Sequence, residues 1–145
     1  MTSNAINFEG SQVEIGQGNA VTVDEGADTF DEISEVKSTD GPGGDTTIFD
    51  VTHSQSTAKE KRAGTKDEGG FNVVANYIPG DTGQQSCQTA RTNRQLRNVK
   101  VTLSDGTVFD FKAFCRRFQV TSGIDQAYDA NIDFEISGDV TVTPA

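Results

Sequence analysis

Period-two alternation of apolar and polar residues governs the second half of the chain. Phe71, Val73, Ala75 and Tyr77 form one run, Val99, Val101 and Leu103 another, and Ile132, Phe134 and Ile136 alternate with Asp133, Glu135 and Ser137. Successive side chains of a strand point to opposite faces, so each run predicts a half-buried β-strand. Ser104-Asp105-Gly106-Thr107 supplies a hairpin turn, and Val108 to Val120 resumes as a long strand. Phe109 and Phe111 occupy one phase of that strand, while Phe114, Phe118 and Val120 occupy the other. The change near Lys112 or Ala113 predicts a bulge, or a strand passing between two sheet environments.

The first half reads less sharply. Residues 1–20 alternate weakly at Ile6, Phe8, Val13 and Ile15 and predict an arm or edge strand. Val21-Thr22-Val23 is a short strand candidate. Phe30, Ile33 and Val36 suit a strand or a single helical turn, ending in a tight turn at Gly41-Pro42-Gly43-Gly44. Thr46 to Thr52 is β-branched and strand-like. Residues 53–70 then form a long polar loop whose only apolar members are Ala58 and Ala63, so it cannot enter a core. Pro79-Gly80 closes the Phe71 strand, and Asp81 or Thr82 caps a helix over 81–93, with Gln84 or Gln85 placed as in a capping box. Cys87 and Ala90 are its inward side, which leaves it marginal unless docked. Gly138 breaks the last strand ahead of a C-terminal tail, 138–145. The pattern predicts a mostly antiparallel β domain with one helix.

A length of 145 residues suits a single domain, though 33% hydrophobic residues and a mean hydropathy of −0.51 leave little apolar surplus. No apolar run exceeds three residues, far short of the roughly twenty of a membrane span or the seven or more of an export signal. A soluble chain is expected. The two cysteines, Cys87 and Cys115, read as free thiols. Net charge is −10, which argues against a nucleic-acid clamp, because such clamps work by replacing phosphate counterions with Lys and Arg.

That charge is polarised. Residues 1–57 carry eleven acids against one base, residues 58–100 eight bases against four acids, and residues 101–145 seven acids against three bases. Opposite blocks on one chain let one face of a copy meet a different face of the next, although a charge run is also what any solvated surface looks like. Lys59, Lys61, Arg62 and Lys66 crowd the polar loop and suggest that it contacts a partner.

Chemistry-bearing motifs are weak. Asp81-Thr82-Gly83 spells the aspartic-protease triplet, but occurs once and in a helix-cap context. Asp129-Ala130-Asn131-Ile132-Asp133 has the spacing that opens a calcium loop, yet Phe134 stands where Gly is needed and Val140 where Glu is needed. His53 has no companion ligand at metal spacing. No catalytic, cofactor-binding or metal-binding residue is assigned.

The order of features resembles the major tail tube proteins of long, non-contractile-tailed bacteriophages. The resemblance is carried by Glu35-Val36-Lys37-Ser38 with the Gly-Pro-Gly-Gly turn, Phe49-Asp50-Val51-Thr52-His53 opening the polar loop, and Glu68-Gly69-Gly70-Phe71. It continues through Asn76-Tyr77-Ile78-Pro79, Thr82-Gly83-Gln84-Gln85 and Val101 to Thr107 followed by Phe109, Phe111, Ala113 and Phe114, and covers roughly residues 30–143. It implies a mainly β, antiparallel β-sandwich or barrel-like domain with one flanking helix. It also implies a structural, non-enzymatic subunit of hexameric rings stacked around a channel for DNA ejection, with tail tip, tail terminator and tape measure proteins as further partners. By position, the loop with His53, Lys59, Lys61, Arg62 and Lys66 corresponds to the segment that contacts the neighbouring ring. Asp110, Asp133 and Glu135, on the polar phase of long strands, are candidate channel-lining acids, with plain solvent exposure the alternative. The residues leave one other class open, a β-sandwich adhesion or carbohydrate-binding module, against which stand the absence of Trp and the presence of only Tyr77 and Tyr128.

Overall fold

The structure, a computed structural model, describes residues 8–145. Strands β1 (Gln12–Gly16), β2 (Phe30–Glu32), β3 (Val36–Asp50), β4 (Lys61–Asn76), β5 (Leu96–Thr102), β6 (Val108–Thr121) and β7 (Asp129–Thr143) form one sheet, with helix α1 (Thr82–Asn93) between β4 and β5. Every pairing is antiparallel, in the order β2-β1-β5-β6-β7-β4-β3. The two outermost strands, β2 and β3, are consecutive in the chain. Residues 33–35 alone join them, a reach of about 14 Å at full extension. A flat seven-stranded sheet would hold those strands about 29 Å apart. The sheet therefore curls until its edges approach, giving a barrel-like shell whose seam is not closed by strand pairing. The Phe71 and Phe111 rings, on strands separated by β7, accordingly meet edge-on at 5.4 Å between centroids.

The alternating runs supply the inside of the curl. Val13 and Ile15, Val99 and Val101, Phe71, Val73 and Ala75, and Ile132, Phe134 and Ile136 are all buried. Each large side chain taken from water there contributes about 1.5–3 kcal/mol. Helix α1 covers the open side through Cys87 and Ala90, both buried, and its small inward residues allow close approach. A Cβ at Gly83 would fall 2.3 Å from the Glu32 carbonyl oxygen, so only glycine lets the first turn lie against β2. Cys87 and Cys115 are buried free thiols. Burial pushes the Cys87 thiol far up and that of Cys115 to about 12, which keeps both protonated and unreactive.

Several expectations need correction. Gln12–Gly16 is no edge strand, because it lies between β2 and β5. Ile6, assigned to the same arm, falls outside the described residues. Val21 and Thr22 lie in a turn held by the Asn19 carbonyl, not a strand. The stretch 53–70 is not all loop: β4 begins at Lys61, so the connection narrows to residues 51–60, and the exposed polar ribbon of β3 and β4 pairs with itself instead of a core. Gly138 does not end β7, which runs on to Thr143 against Val108–Asp110, so most of the expected tail is strand. The phase change in β6 is two bulges, between Asp110 and Lys112 and between Cys115 and Arg117.

Candidate functional site

The hairpin of β3 and β4 leaves the sheet. Pairing of β4 with β7 stops at Gly70 and Glu135, while pairing of β4 with β3 continues for nine more residues to Lys61. The result is a two-stranded arm about 30 Å long. Its root is a glycine hinge, not the expected tight turn. Gly43 stands opposite both Gly69 and Gly70, Gly69 has φ +72°, and a Cβ at Gly44 would fall 1.8 Å from the Asp67 carbonyl oxygen. Residues 44–50 and 61–67 are exposed on both faces, so the arm buries almost nothing of its own. An isolated two-stranded ribbon is at best marginally stable, and its two unpaired edges offer backbone groups to another chain.

The predicted loop residues fall on this arm in three different situations. His53 Nε2 lies 3.2 Å from Glu60 Oε2, which also accepts from the Ser56 hydroxyl at 2.7 Å, so these residues brace the tip internally. Thr52 donates to Asp50 from both its backbone N–H and its hydroxyl, and holds that exposed carboxyl below its ordinary range. Lys66 pairs within the chain, 3.1 Å from Asp139 and 4.0 Å from Glu68, and the Asp139 carboxylate raises its pKa. Lys59, Lys61 and Arg62 engage no other side chain among the described residues. They are the free positive charges of the arm.

The candidate acids do not form one group. Asp133 and Glu135 alternate with buried Ile132, Phe134 and Ile136, which places both on the outer face of β7. Across that face Asp40, Asn72, Asp133 and Arg117 stand in one row on β3, β4, β7 and β6. Asn72 donates to Asp133 and, at 2.6 Å, to Asn131, while Arg117 approaches Asp133 at 3.9 Å. Glu135 is exposed beside them, and with Asp40, Asp133 and Arg116 it lines an open groove of about 420 Å³. Asp110 lies elsewhere. It faces Lys100 and Thr141, is only 8% exposed, and its Oδ1 has no hydrogen-bond partner among the described residues. Asn98 and Lys112, on the same outer face of β5 and β6, hold residues 17–29 across it: Asn98 donates to the Val23 carbonyl at 3.1 Å and Lys112 to the Ala20 carbonyl at 2.8 Å. Residues 17–29 thus lie over the face on which Asp110 stands. Asp40 and Arg116 were missed from the sequence, since glycine bulges and the Cys115–Arg117 bulge set which way they face.

The motifs with enzymatic overtones resolve as scaffolding. Asp81 caps α1, accepting from Gln84 N–H at 3.2 Å and from the Ser34 N–H and hydroxyl at 3.1 and 2.8 Å. The reciprocal half of the capping box does not form, because the buried Gln84 side chain stitches Asn76 and Ile78 instead. Asp129 pairs with Lys37 at 3.0 Å, and no trio of possible metal ligands converges among the described residues. No helix there is long and apolar enough to cross a membrane.

Comparison with known proteins places this geometry. Several solved structures share the fold at low identity. The tail of an empty gene transfer agent particle, refined helically with C6 symmetry, gives a TM-score of 0.71 at 12% identity over 96% of this chain and 99% of that one. The SPP1 tail tube gives 0.70 at 11% identity over 97% and 80%. A sheath–tube complex of an extracellular contractile injection system gives 0.71 at 13% over 99% and 95%. No curated protein sequence matches. The family model described as lambda phage tail tube protein matches residues 14–143, nearly the whole domain including the arm, and the chain belongs to that family of structural tail tube proteins.

Proposed function

We propose that copies of this chain form hexameric rings that stack into the tail tube of a phage particle and enclose the channel for DNA ejection. The observation that carries this reading is the arm: about 30 Å of ribbon tied to its own body by the Lys66–Asp139 ion pair and, among the described residues, with Lys59, Lys61 and Arg62 unpaired at its outer half. A structure of that kind is completed by a neighbour. The sixfold gene transfer agent tail of the same fold supports the ring number. In the assembled tube the arm lies against the adjacent ring, with His53 and Lys66 bracing it while Lys59, Lys61 and Arg62 make the contacts. Asp133 and Glu135 face the channel together with Asp40, three carboxylates against Arg116 and an Arg117 already drawn to Asp133, so the face stays net negative, repels phosphate and lets DNA slide past. Asp110 stays covered. Tail tip and terminator proteins close the two ends, and the tape measure protein occupies the lumen before DNA. Assembly takes place in the host cytoplasm and the product resides in the virion tail.

Negative-stain microscopy of the concentrated protein tests the reading, with rings or stacked tubes expected and a strictly monomeric species at every concentration counting against it. The triple change Lys59→Glu, Lys61→Glu, Arg62→Glu sharpens the test. Exposed charges change stability little, so the variant should fold, as read by circular dichroism, yet fail to stack. Normal tubes from it would make the arm a bystander.

A further inference from the structure

The end of the molecule opposite the arm carries an apolar stripe that no described residue covers. Phe118 on β6 and Ile132 and Ala130 on β7 face the core, and the same phase continues past the end of the core as Val120 and Tyr128, both exposed. Between them the turn 122–128 holds Ile124 outward, closed by a Gln126 N–H to Gly123 carbonyl bond of 3.2 Å and by Asp125 at φ +60°. Ile124 is 93% exposed. Single exposed apolar residues are ordinary, but a stripe leaving the core and ending in a presented isoleucine is a patch.

The arm offers a matching surface. Phe49 near the end of β3 and Val51 just beyond it, held by its N–H to the Glu60 carbonyl at 2.9 Å, are two residues apart at the tip, with the Phe49 ring over Gly64, and both are exposed. The two patches cannot meet within one copy. β4 runs sixteen residues from Lys61 beside the arm tip to Asn76, which pairs with Asp129 at the foot of the 122–128 turn, a separation of about 50 Å. Complementary patches at opposite ends of one copy join copy to copy in one direction without closing. Charge supports the pairing, because Asp125 on the turn is unpaired among the described residues while Lys59, Lys61 and Arg62 flank the arm patch.

We infer that the 122–128 turn, with Val120 and Tyr128, is the acceptor for the Phe49–Val51 face of the arm of a second copy in the next ring. The stacking contact then has an apolar centre with the ionic pairs around it, the usual anatomy of a specific interface. This deepens the tube reading and rests on it. The test uses full-length Val51→Cys and Ile124→Cys variants, singly, mixed and combined, assembled and treated with a short bis-maleimide linker. The buried Cys87 and Cys115 leave the wild-type chain unlinked. The combined variant should give a ladder of dimers, trimers and higher species on a denaturing gel, the mixed single variants should give dimers, and each single variant alone should stay monomeric. Tubes visible by microscopy without a ladder, or dimers from either single variant alone, overturn the assignment while leaving the tube reading intact. Wild-type protein that forms no tubes overturns both. As a second measure, Ile124→Asp changes an exposed side chain and so keeps the fold. It should leave single rings and abolish stacking, and tubes of wild-type length from it would also refute the assignment.

Discussion

The Asp81 carboxylate accepts three hydrogen bonds, two from Ser34 and one from the Gln84 N–H, and so ties the start of α1 to the link between β2 and β3. Loss of an N-cap side chain costs about 1 kcal/mol, and a partly buried N–H left without an acceptor adds about 1–3 kcal/mol. Asp81→Ala should therefore lower the free energy of unfolding by about 2–4 kcal/mol in a urea titration, with the slope unchanged. Asp81→Asn retains an oxygen acceptor and should cost much less. Equal losses from the two variants would mean that the negative charge, not the capping geometry, holds the helix. The same arithmetic explains the Asp-Thr-Gly triplet: all the bonding capacity that the structure shows for Asp81 is spent on scaffolding.

At the scale of elements, the arm is separable from the barrel-like body because the two share few side-chain contacts. Its outer residues are exposed on both faces, and the core side chains come from elsewhere on the sheet and from α1. Replacing residues 45–67 by a short turn should leave a folded domain whose melting temperature lies within a few degrees of the full chain, since loop length itself changes stability by only about 0.6 kcal/mol per doubling. The shortened protein should form no tubes. A molten or insoluble product, read by near-UV circular dichroism, would show that the arm supports the body. What could be read from the residues follows the same division. Strands with one buried face announced themselves by alternation, as in Phe71–Tyr77 and Ile132–Ile136, and α1 by its cap. Of the two arm strands, 46–50 showed only through its β-branched composition and 61–67 not at all, because neither has a buried face and so neither has a period to detect. The orientation of Asp40 and Arg116 was hidden for a second reason: bulges shift register by one residue, and a bulge is a property of the pairing, not of one strand.

For the whole molecule, net acidity sets a condition on assembly. Each copy carries a net charge of −10, so bringing copies together costs electrostatic work that grows with every ring added. In the proposed tube, the ionic contacts of Lys59, Lys61 and Arg62 and the apolar contact centred on Ile124 would oppose that repulsion. Salt separates these terms. Between about 0.01 M and 0.15 M the screening length falls from about 30 Å to about 8 Å, which suppresses repulsion between distant like charges while leaving close contacts largely in place. Apolar contact is not weakened at all, and sulfate strengthens it. The critical concentration for tube formation, measured by sedimentation, should therefore fall as sodium chloride rises over that range, and fall further in sodium sulfate of equal ionic strength. A critical concentration that climbs with salt would show that attraction between the basic arm and an acidic neighbour outweighs both mutual repulsion and apolar burial. The polarised charge would then be the main source of cohesion, where the exposed stripe on β6 and β7 assigns it the role of fixing direction and register.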